Sequence, residues 1–401
     1  MSFSLSKAFN GILLVAGTAI GAGMLALPVA TAAGGFIPAF AMYLLCWIFM
    51  ACTGLLILEV CIWMPHDANM VSMSKHLLGK PGKFASWALY LFLFYSLTIA
   101  YIAGGGGFFT AIAENVIPSW LGIILFVVLF GPIVYLGHRA IHAFNFILMI
   151  GLVTAYFGFV ILGWGHVDTS LLKTSNWVQG ALALPVIFTA FSFQGVIPHL
   201  NTYMQRNTRM VRLAIIVGTS IPFVAYVIWE FLILGIVPVE GADGLLATQA
   251  AGQTAVFPLK NVVNSAYIYL VGQFFAFFAL TTSFLGVTLG LVDFLADGLS
   301  WNKSGMRRLV LCLLVFLPPT CIALINPHIF FIALNYAGGI GCALLLGLLP
   351  VIMVWVGRYK RGFSDKQQLP GGKIVLTLLA IFVAFELFIE FYHELHRLGL
   401  F

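Results

Sequence analysis

Long apolar runs follow one another along most of the chain, separated by short segments that hold most of the charged residues. A helix needs about 20 apolar residues to cross the roughly 30 Å hydrocarbon core of a bilayer. We therefore predict eleven membrane-spanning helices, at about 8–31, 37–63, 84–112, 120–136, 143–163, 180–203, 211–236, 265–297, 308–325, 329–356 and 374–392.

The segments between these runs are too short to form a second domain, so we predict one all-α transmembrane domain over residues 1–401. Residues 64–83 predict a short helix at the membrane interface. Residues 237–264 contain Pro238 and several glycines and predict an external cap over the helix bundle.

The composition supports a membrane protein, with 62% hydrophobic residues, 8% charged residues and a mean hydropathy of +1.06. A soluble domain carries about 25% charged residues, because its surface must be wetted by water. This chain has too little charge to cover a water-facing surface. Lipid is therefore the predicted partner of most of its exterior.

The formal net charge of +6 is explained by orientation in the membrane. With a cytoplasmic N-terminus, the eleven spans place every Lys and Arg on the cytoplasmic side except Lys173, Lys260 and Arg397. This distribution follows the positive-inside rule. It predicts a cytoplasmic N-terminus and a periplasmic C-terminus, and it removes nucleic acid as an explanation of the basic charge.

Two predicted helices carry the features of a break near the middle of the membrane. The first has glycines at positions 17, 21 and 23 and then Pro28, and each such glycine weakens a helix by about 1 kcal/mol relative to alanine. The sixth has polar residues within 188–195 and then Pro198. At the glycines of the first helix, close helix packing stays open as the alternative.

These two helices lie five spans apart, and because five is odd the second set of five enters the membrane from the opposite side. We predict inverted repeats over about 8–163 and 180–356, with the helix at 374–392 outside them. Interrupted helices in matching positions of such repeats indicate the binding site of a transporter.

A broken helix suits an amino-acid substrate because each break exposes unpaired backbone groups. The N–H groups at the start of one half-helix can hold a carboxylate, and the carbonyl groups at the end of the other can hold an ammonium. No Arg or Asp lies near either break in the sequence. The pattern therefore predicts an α-amino acid bound through the backbone.

Specific strings along nearly the whole chain extend this prediction to a family. They are VAGTAIGAGMLALP at 15–28, LLILEV at 55–60, AYIAG at 100–104, PVIFTAFSFQG at 185–195, SFLGVTLGLVDFLAD at 283–297 and LNYAG at 334–338. With these strings the sequence resembles the hydroxy/aromatic amino acid permeases, and within them the tyrosine-specific permeases of bacteria. The resemblance implies a five-plus-five inverted-repeat core with one extra helix, the amino acid–polyamine–organocation type of fold. It also implies ion-driven amino-acid uptake, with no other cofactor, across a bacterial inner membrane.

The resemblance also implies roles for single residues, by comparison with sodium symporters of the same fold. The substrate carboxylate is expected on the N–H groups of Gly21, Ala22 and Gly23. Its ammonium is expected at carbonyls near Ala19, Phe188 and Thr189.

A sodium ion is expected at the oxygens of Gly17, Ile20, Ala279, Thr282 and Ser283, because a hard cation prefers an all-oxygen cage. Met24 replaces an asparagine of those symporters, so a further sodium site is expected to be lost. Two alternatives stay open: proton coupling, which is general in the permease family, and hydroxyls that bond their own helix backbone. Sodium is slightly favoured.

The residues around the breaks predict the preferred side chain of the substrate. Phe188, Phe191 and Tyr101 are expected to surround an aromatic ring, and Thr189 and Gln194 to meet a tyrosine hydroxyl. A site with such a polar partner strongly rejects the analogue that lacks the hydroxyl. Tyrosine is the predicted substrate, with tryptophan or a hydroxy amino acid (serine or threonine) as alternatives.

Charge inside a bilayer is unfavourable, so acidic residues within predicted spans are functional candidates. They are Glu59, Glu230, Asp293, Glu386 and Glu390. Glu59 and Asp293 are predicted either to pair with Lys or Arg in a cytoplasmic gate or to carry a proton. Glu386 and Glu390 are expected to extend to the outer surface.

Other classes of protein lack support in the sequence. The histidines fall at span ends or in loops, and no metal site is predicted. An intramembrane enzyme is disfavoured because no HExxH or GxSxG motif occurs, and a channel is disfavoured because no repeated polar rings are visible.

Overall fold

The computed structural model describes residues 2–65, 68–114, 116–263, 265–363 and 367–397, and within these ranges the regular structure is entirely helical. A π-helix over Ala337–Leu348 lies between the fifteenth and sixteenth α-helices. In chain order the α-helices are α1 (Ser2–Ala19), α2 (Ala22–Thr31), α3 (Phe36–Trp63), α4 (Met70–Ile112), α5 (Ser119–Leu136), α6 (His138–Gly163), α7 (Trp177–Leu182), α8 (Leu184–Ala190), α9 (Ile197–Tyr203), α10 (Thr208–Ile236), α11 (Leu245–Ala250), α12 (Leu259–Val262), α13 (Ala266–Leu299), α14 (Gly305–Ile325), α15 (Phe330–Tyr336), α16 (Leu349–Tyr359) and α17 (Gly372–Arg397).

In the described part of the chain, nine helices are long and apolar enough to cross a membrane, or ten if the bent pair α1–α2 counts as one span. The prediction of an all-α membrane protein is therefore confirmed. The predicted span at 180–203 is divided among α7, α8, α9 and a 3₁₀ turn at Gln194–Val196, each too short to cross alone. The number of eleven spans stays a prediction.

Short helices occur in both segments predicted to lie at the membrane faces, residues 64–83 and 237–264. α4 is interrupted at Gly79, whose φ of 77° is left-handed, so a short helix from Met70 precedes the long span. The segment between α10 and α13 holds α11 and α12. It is anchored to the first broken helix by a bond of 3.1 Å from Ala255 N–H to the Leu25 carbonyl.

The largest fully buried side chains of the interior are mostly aromatic, whereas many large apolar side chains of α5, α6 and α14 remain exposed at the exterior. Trp229 of α10 packs against Phe159 and Phe275 with the rings tilted by 54° and 50°, at a centroid distance of 4.8 Å in each pair. The π-helix packs tightly on α8, and a Cβ at Gly338 would overlap the Pro185 carbonyl. These contacts bring α10, α8 and the π-helix around the predicted breaks.

A fully buried ion pair joins α3 to α16 at one end of the bundle. Arg358 binds both carboxylate oxygens of Glu59, at 2.6 and 2.7 Å. The Gln368 N–H donates to the same carboxylate at 2.7 Å, and Arg358 also donates to the Leu369 carbonyl at 3.0 Å. Glu59, a predicted gate residue, thus accepts three of these hydrogen bonds, and the fourth, from Arg358, joins α16 to the segment before α17.

We expect Glu59→Gln to lower the free energy of unfolding by about 3–5 kcal/mol, because it leaves a buried guanidinium without a counter-charge. Lys303→Gln is the matched control, since it breaks the partly exposed pair of Lys303 and Asp293 and should change stability by less than about 1 kcal/mol. Thermal unfolding of the detergent-solubilised variants measures both effects. Equal unfolding temperatures for Glu59→Gln and wild type would contradict a stabilising role for this pair.

Candidate functional site

The first break lies where the sequence predicts it. α1 ends at Ala19, α2 begins at Ala22, and the two half-helices are bent by 51°. Gly21 has extended backbone angles, with φ of −170° and ψ of −154°. The chain therefore leaves the carbonyl end of α1 and the N–H end of α2 facing the protein interior.

The second break follows α8, which ends at Ala190. Residues 191–193 are not helical, and a 3₁₀ turn leads into α9 at Ile197. The Ser192 hydroxyl donates to the Thr189 carbonyl at 2.8 Å and satisfies one carbonyl at the end of α8.

The two breaks meet at one tyrosine. The Tyr226 hydroxyl of α10 lies 2.6 Å from the Ala19 carbonyl and 2.9 Å from the Ala190 carbonyl. The start of α2 packs against the end of α8, because a Cβ at Gly23 would lie only 3.0 Å from the Ala190 Cα. Tyr226 therefore bridges the carbonyl ends of both broken helices.

A second hydroxyl, that of Ser283, lies at the N–H end of α2. The Ala22 N–H donates to the Ser283 hydroxyl of α13 at 2.9 Å. Tyr101 of α4 lies beside Ser283 and close to Tyr226. Ala22 and Tyr101, both predicted to bind substrate, are thus together at the first break. Ser283, predicted for the ion site, lies beside them.

Only part of the predicted ion site is brought together by side-chain contacts. Ser283 reaches the first break, whereas the Thr282 hydroxyl donates to its own helix, at 2.8 Å from the Phe278 carbonyl and 3.2 Å from that of Ala279. This bonding is the alternative that the sequence left open for Thr282. Gly17 and Ile20 lie on either side of the end of α1, and the Ile20 N–H is bonded to the Ala16 carbonyl.

The predicted aromatic residues divide between the break and the packed core. Phe191 lies at the break, with its ring edge-on to Tyr226 at a centroid distance of 4.9 Å. Phe188 turns away from it and packs on Phe49 and Phe382, at 5.2 and 5.7 Å. The side chain of Phe188 therefore belongs to the contact of α8 with α3 and α17.

The two polar residues expected to meet a substrate hydroxyl have structural partners. Gln194 donates to Met50 Sδ at 2.8 Å and to the Thr53 hydroxyl at 3.0 Å, and it accepts from the Phe193 N–H at 2.9 Å. Thr189 donates to the Leu334 carbonyl of α15 at 2.8 Å. The Gln194 amide holds the second break against α3, because a buried amide needs partners for both of its ends. Contact of Gln194 and Thr189 with a substrate hydroxyl stays a prediction.

Asp293, the other predicted gate residue, is partly exposed near the end of α13. It pairs with Lys303 at 2.6 Å and with His138 at 3.1 Å. It lies in a surface ion cluster, in contrast to the enclosed pair of Glu59 and Arg358.

The expectation that Glu386 and Glu390 extend to the surface is wrong. Both are buried, at 0% and 4% exposure, because α17 packs its acidic face on the π-helix. Gly339 provides the space, since a Cβ there would lie 2.9 Å from the Glu390 Cβ. The sequence suggested an outer helix but could not show which of its faces is covered.

Sequence reasoning missed Tyr226 of α10 as a contributor to this site, and it gave Glu230 of the same helix no role beyond that of an acid within a span. The Glu230 carboxylate is buried and bonded to the hydroxyls of Thr31 and Tyr43. The available signal was their spacing, because residues four apart lie on one face of a helix. A tyrosine and a glutamate on the same face of an apolar span indicate a polar stripe directed inward.

The sequence pattern of the tryptophan/tyrosine permease family matches residues 5–389. A tryptophan-specific transport protein of Haemophilus influenzae is 32% identical, covering 93% of each chain. Tyrosine-specific transport system 1 of the same organism is also 32% identical, covering 94% of each. A tyrosine permease of Enterobacter agglomerans is 26% identical, covering 93% of this chain and 92% of its own.

Among solved structures, a manganese transporter of Eremococcus coleocola has a TM-score of 0.63 and 14% identity, covering 96% of this chain and 85% of that one. At this identity the likeness concerns the fold alone. The sequence relatives, in contrast, are permeases and transport proteins of bacteria, so the chain is a transporter and not an enzyme. With a family match across almost its full length, the chain belongs to the tryptophan/tyrosine permease family.

Proposed function

We propose that this protein imports an aromatic amino acid, with tyrosine as the first candidate, across a bacterial inner membrane and uses an ion gradient to do so. The observation that carries the proposal is the meeting of two broken helices, where side-chain hydroxyls bond the Ala19 and Ala190 carbonyls and the Ala22 N–H. Such hydroxyls are neutral and can be replaced by the charged groups of an amino acid.

The proposal also covers the number of membrane spans and the relation between the two halves of the chain. We propose that α7 to α9 complete an eleventh span and that the repeats at about 8–163 and 180–356 are related by inversion, with α17 as the extra helix. We further propose a cytoplasmic N-terminus and a periplasmic C-terminus. The distribution of Lys and Arg supports this orientation.

The substrate ammonium is proposed to replace the Tyr226 hydroxyl at the carbonyls of Ala19 and Ala190. One hydroxyl has a single hydrogen for two carbonyls, whereas an ammonium has three. Charge-assisted hydrogen bonds are also about twice as strong as neutral ones. Exchange of the hydroxyl for the ammonium would therefore favour the bound state.

The substrate carboxylate is proposed to replace the Ser283 hydroxyl at the Ala22 N–H. This N–H lies at the start of α2, where the helix dipole favours a negative charge. The adjoining N–H groups of Gly21 and Gly23 are the further expected donors. Because neither helix end carries a fixed charge of its own, the site is suited to the zwitterion as a whole.

The aromatic side chain of the substrate is proposed to lie against Phe191 and Tyr101. Phe191 is at the second break and Tyr101 lies beside Ser283. Tryptophan is the second candidate, because relatives named for tryptophan and for tyrosine are equally similar to this chain at 32% identity.

Two coupling ions are candidates. Sodium is proposed at the oxygens of Gly17, Ile20, Ala279, Thr282 and Ser283. The Thr282 hydroxyl that donates to its own helix still has a lone pair for a cation. A proton is the alternative, bound by an acid such as Glu59 or Asp293.

We expect Gly23→Leu and Gly21→Leu to abolish tyrosine binding while the protein still reaches the membrane. A side chain at Gly23 would push α2 from α8, and one at Gly21 would meet the Ser283 hydroxyl that marks the carboxylate position. Gly286→Leu on α13 is the control, because a Cβ at Gly286 has no atom within 4 Å. Undiminished uptake of labelled tyrosine by both variants would remove the first break from the binding site.

We expect tyrosine, tryptophan and phenylalanine to compete with labelled tyrosine at least tenfold better than leucine or serine, a difference of about 1.4 kcal/mol. The reason is the aromatic lining at Phe191 and Tyr101. A competition panel of the twenty amino acids measures the preference. Equal competition by serine would assign the protein to the hydroxy-amino-acid carriers instead.

We expect Thr282→Ala combined with Ser283→Ala to remove any dependence of tyrosine binding on sodium and to leave weak, sodium-independent binding. Sodium and tyrosine must tighten each other's binding by the same factor if the two sites are coupled. The measurement is tyrosine affinity in sodium and in choline buffer at two pH values. Identical wild-type affinity in sodium and choline, with a clear pH effect, would contradict the sodium site.

A further inference from the structure

Glu230 is a buried acid in direct contact with the elements that form the first break. Its side chain lies on α10, one helical turn from Tyr226, and is 1% exposed. One carboxyl oxygen contacts the Thr31 hydroxyl, at the end of α2, and the other accepts from the Tyr43 hydroxyl of α3 at 2.6 Å.

A count of hydrogens identifies the charge state that fits these contacts. The Thr31 hydroxyl also lies 2.8 Å from the Leu27 carbonyl, which can only accept. Each hydroxyl has one hydrogen, so Thr31 and Tyr43 supply two hydrogens for three contacts. A protonated Glu230 supplies the third by donating to Thr31 while Thr31 donates to Leu27. The neutral carboxyl satisfies every contact, and the carboxylate leaves one without a hydrogen.

The surroundings of Glu230 also favour the neutral form. The titratable groups facing this part of α10 are tyrosines: Tyr43 on α3, Tyr156 on α6 and Tyr226 on α10 itself. His166, Asp168 and Lys173 lie in the segment between α6 and α7 that contacts α10 near its end, where the Asp168 N–H bonds the Gly235 carbonyl. None of the three is a hydrogen-bond or ion-pair partner of Glu230 among the described residues.

The two predicted gate acids differ in this respect. Glu59 is bound by Arg358 and Asp293 by Lys303, so each has a cation that stabilises its charge. A charge without such a partner is unfavourable inside a membrane bundle. Glu230 is therefore better suited than either predicted gate acid to gain and lose a proton.

The position of Glu230 links its protonation to the substrate site. Glu230 contacts Thr31 at the C-terminal end of α2. Tyr226, on α10 like Glu230, bonds the carbonyl ends of α1 and α8. Loss of the proton removes the hydrogen bond to Thr31 and leaves a negative charge between α2 and α3. The expected result is separation of α2 from α10, the movement that opens or closes the first break.

We propose that Glu230 binds the proton that accompanies the substrate. An O–H bond forms at the carboxylate when a proton enters from water on one side of the membrane, and it breaks when the proton leaves to the other side. The inference rests on the proposed transport of an aromatic amino acid and names the residue that couples it to a proton gradient. Substrate affinity is then highest at low pH, where Glu230 is protonated, and falls as pH rises through its ionisation.

The test uses the full chain in liposomes that contain a pH-sensitive dye. In wild type and in Glu386→Gln, a control at another buried acid, an inside-alkaline gradient should drive tyrosine accumulation, with proton entry on addition of tyrosine. Glu230→Gln keeps an N–H donor group for Thr31 and an oxygen acceptor for Tyr43, and so mimics the neutral acid. It should exchange labelled for unlabelled tyrosine at near the wild-type rate, with at least tenfold less accumulation, no proton entry and a pH-independent affinity.

A second variant makes the test independent of the behaviour of Glu230→Gln. Tyr43→Phe removes a hydrogen-bond donor that stabilises the carboxylate, so the pH midpoint of tyrosine affinity should move to higher pH. Gradient-driven accumulation by Glu230→Gln, an unmoved midpoint in Tyr43→Phe, or wild-type exchange without proton movement would each overturn the proposal. Absence of aromatic amino-acid exchange in wild type would instead refute the proposed function.

Discussion

The structure depends on how the two broken helices satisfy their backbone groups away from water. A helix that ends inside a bilayer exposes carbonyl and N–H groups, and each unsatisfied group is strongly unfavourable there. In this protein one hydroxyl, that of Tyr226, bonds the carbonyl ends of both breaks, and another, that of Ser283, bonds the N–H end of α2. The remaining packing around the site keeps these two hydroxyls in reach.

The elements around the breaks have separate tasks. α10 holds the break at two consecutive turns, through Tyr226 and Glu230, while α3 holds the second break through Gln194. The buried pair of Glu59 and Arg358 joins α3 to α16 at one end of the bundle. The ion pair is a firm connection away from the breaks, whereas the bonds at the breaks are neutral and exchangeable. A carrier needs this arrangement when two half-helices must move relative to a scaffold.

The sequence predicted the breaks well because glycines, polar residues and prolines within an apolar run are local features. It did not show the partners of Gln194 and was wrong about the burial of Glu386, because the partners of a buried polar group lie far along the chain: the Gln194 amide binds Met50 and Thr53. It missed Tyr226 because a tyrosine in an apolar span has the same local pattern as a core or lipid-facing aromatic residue. Which face of a helix is covered, and by what, is decided by tertiary packing.

The central claim is that the free helix ends bind the charged groups of an amino acid. Its most direct test is competition against labelled tyrosine by tyramine, which lacks the carboxylate, and by 3-(4-hydroxyphenyl)propionate, which lacks the ammonium. Both keep the phenol ring. The account predicts that each binds at least about 100-fold more weakly than tyrosine, a loss of about 2.7 kcal/mol or more. Competition by either compound at the affinity of tyrosine would show that the side chain alone is recognised and would contradict the account.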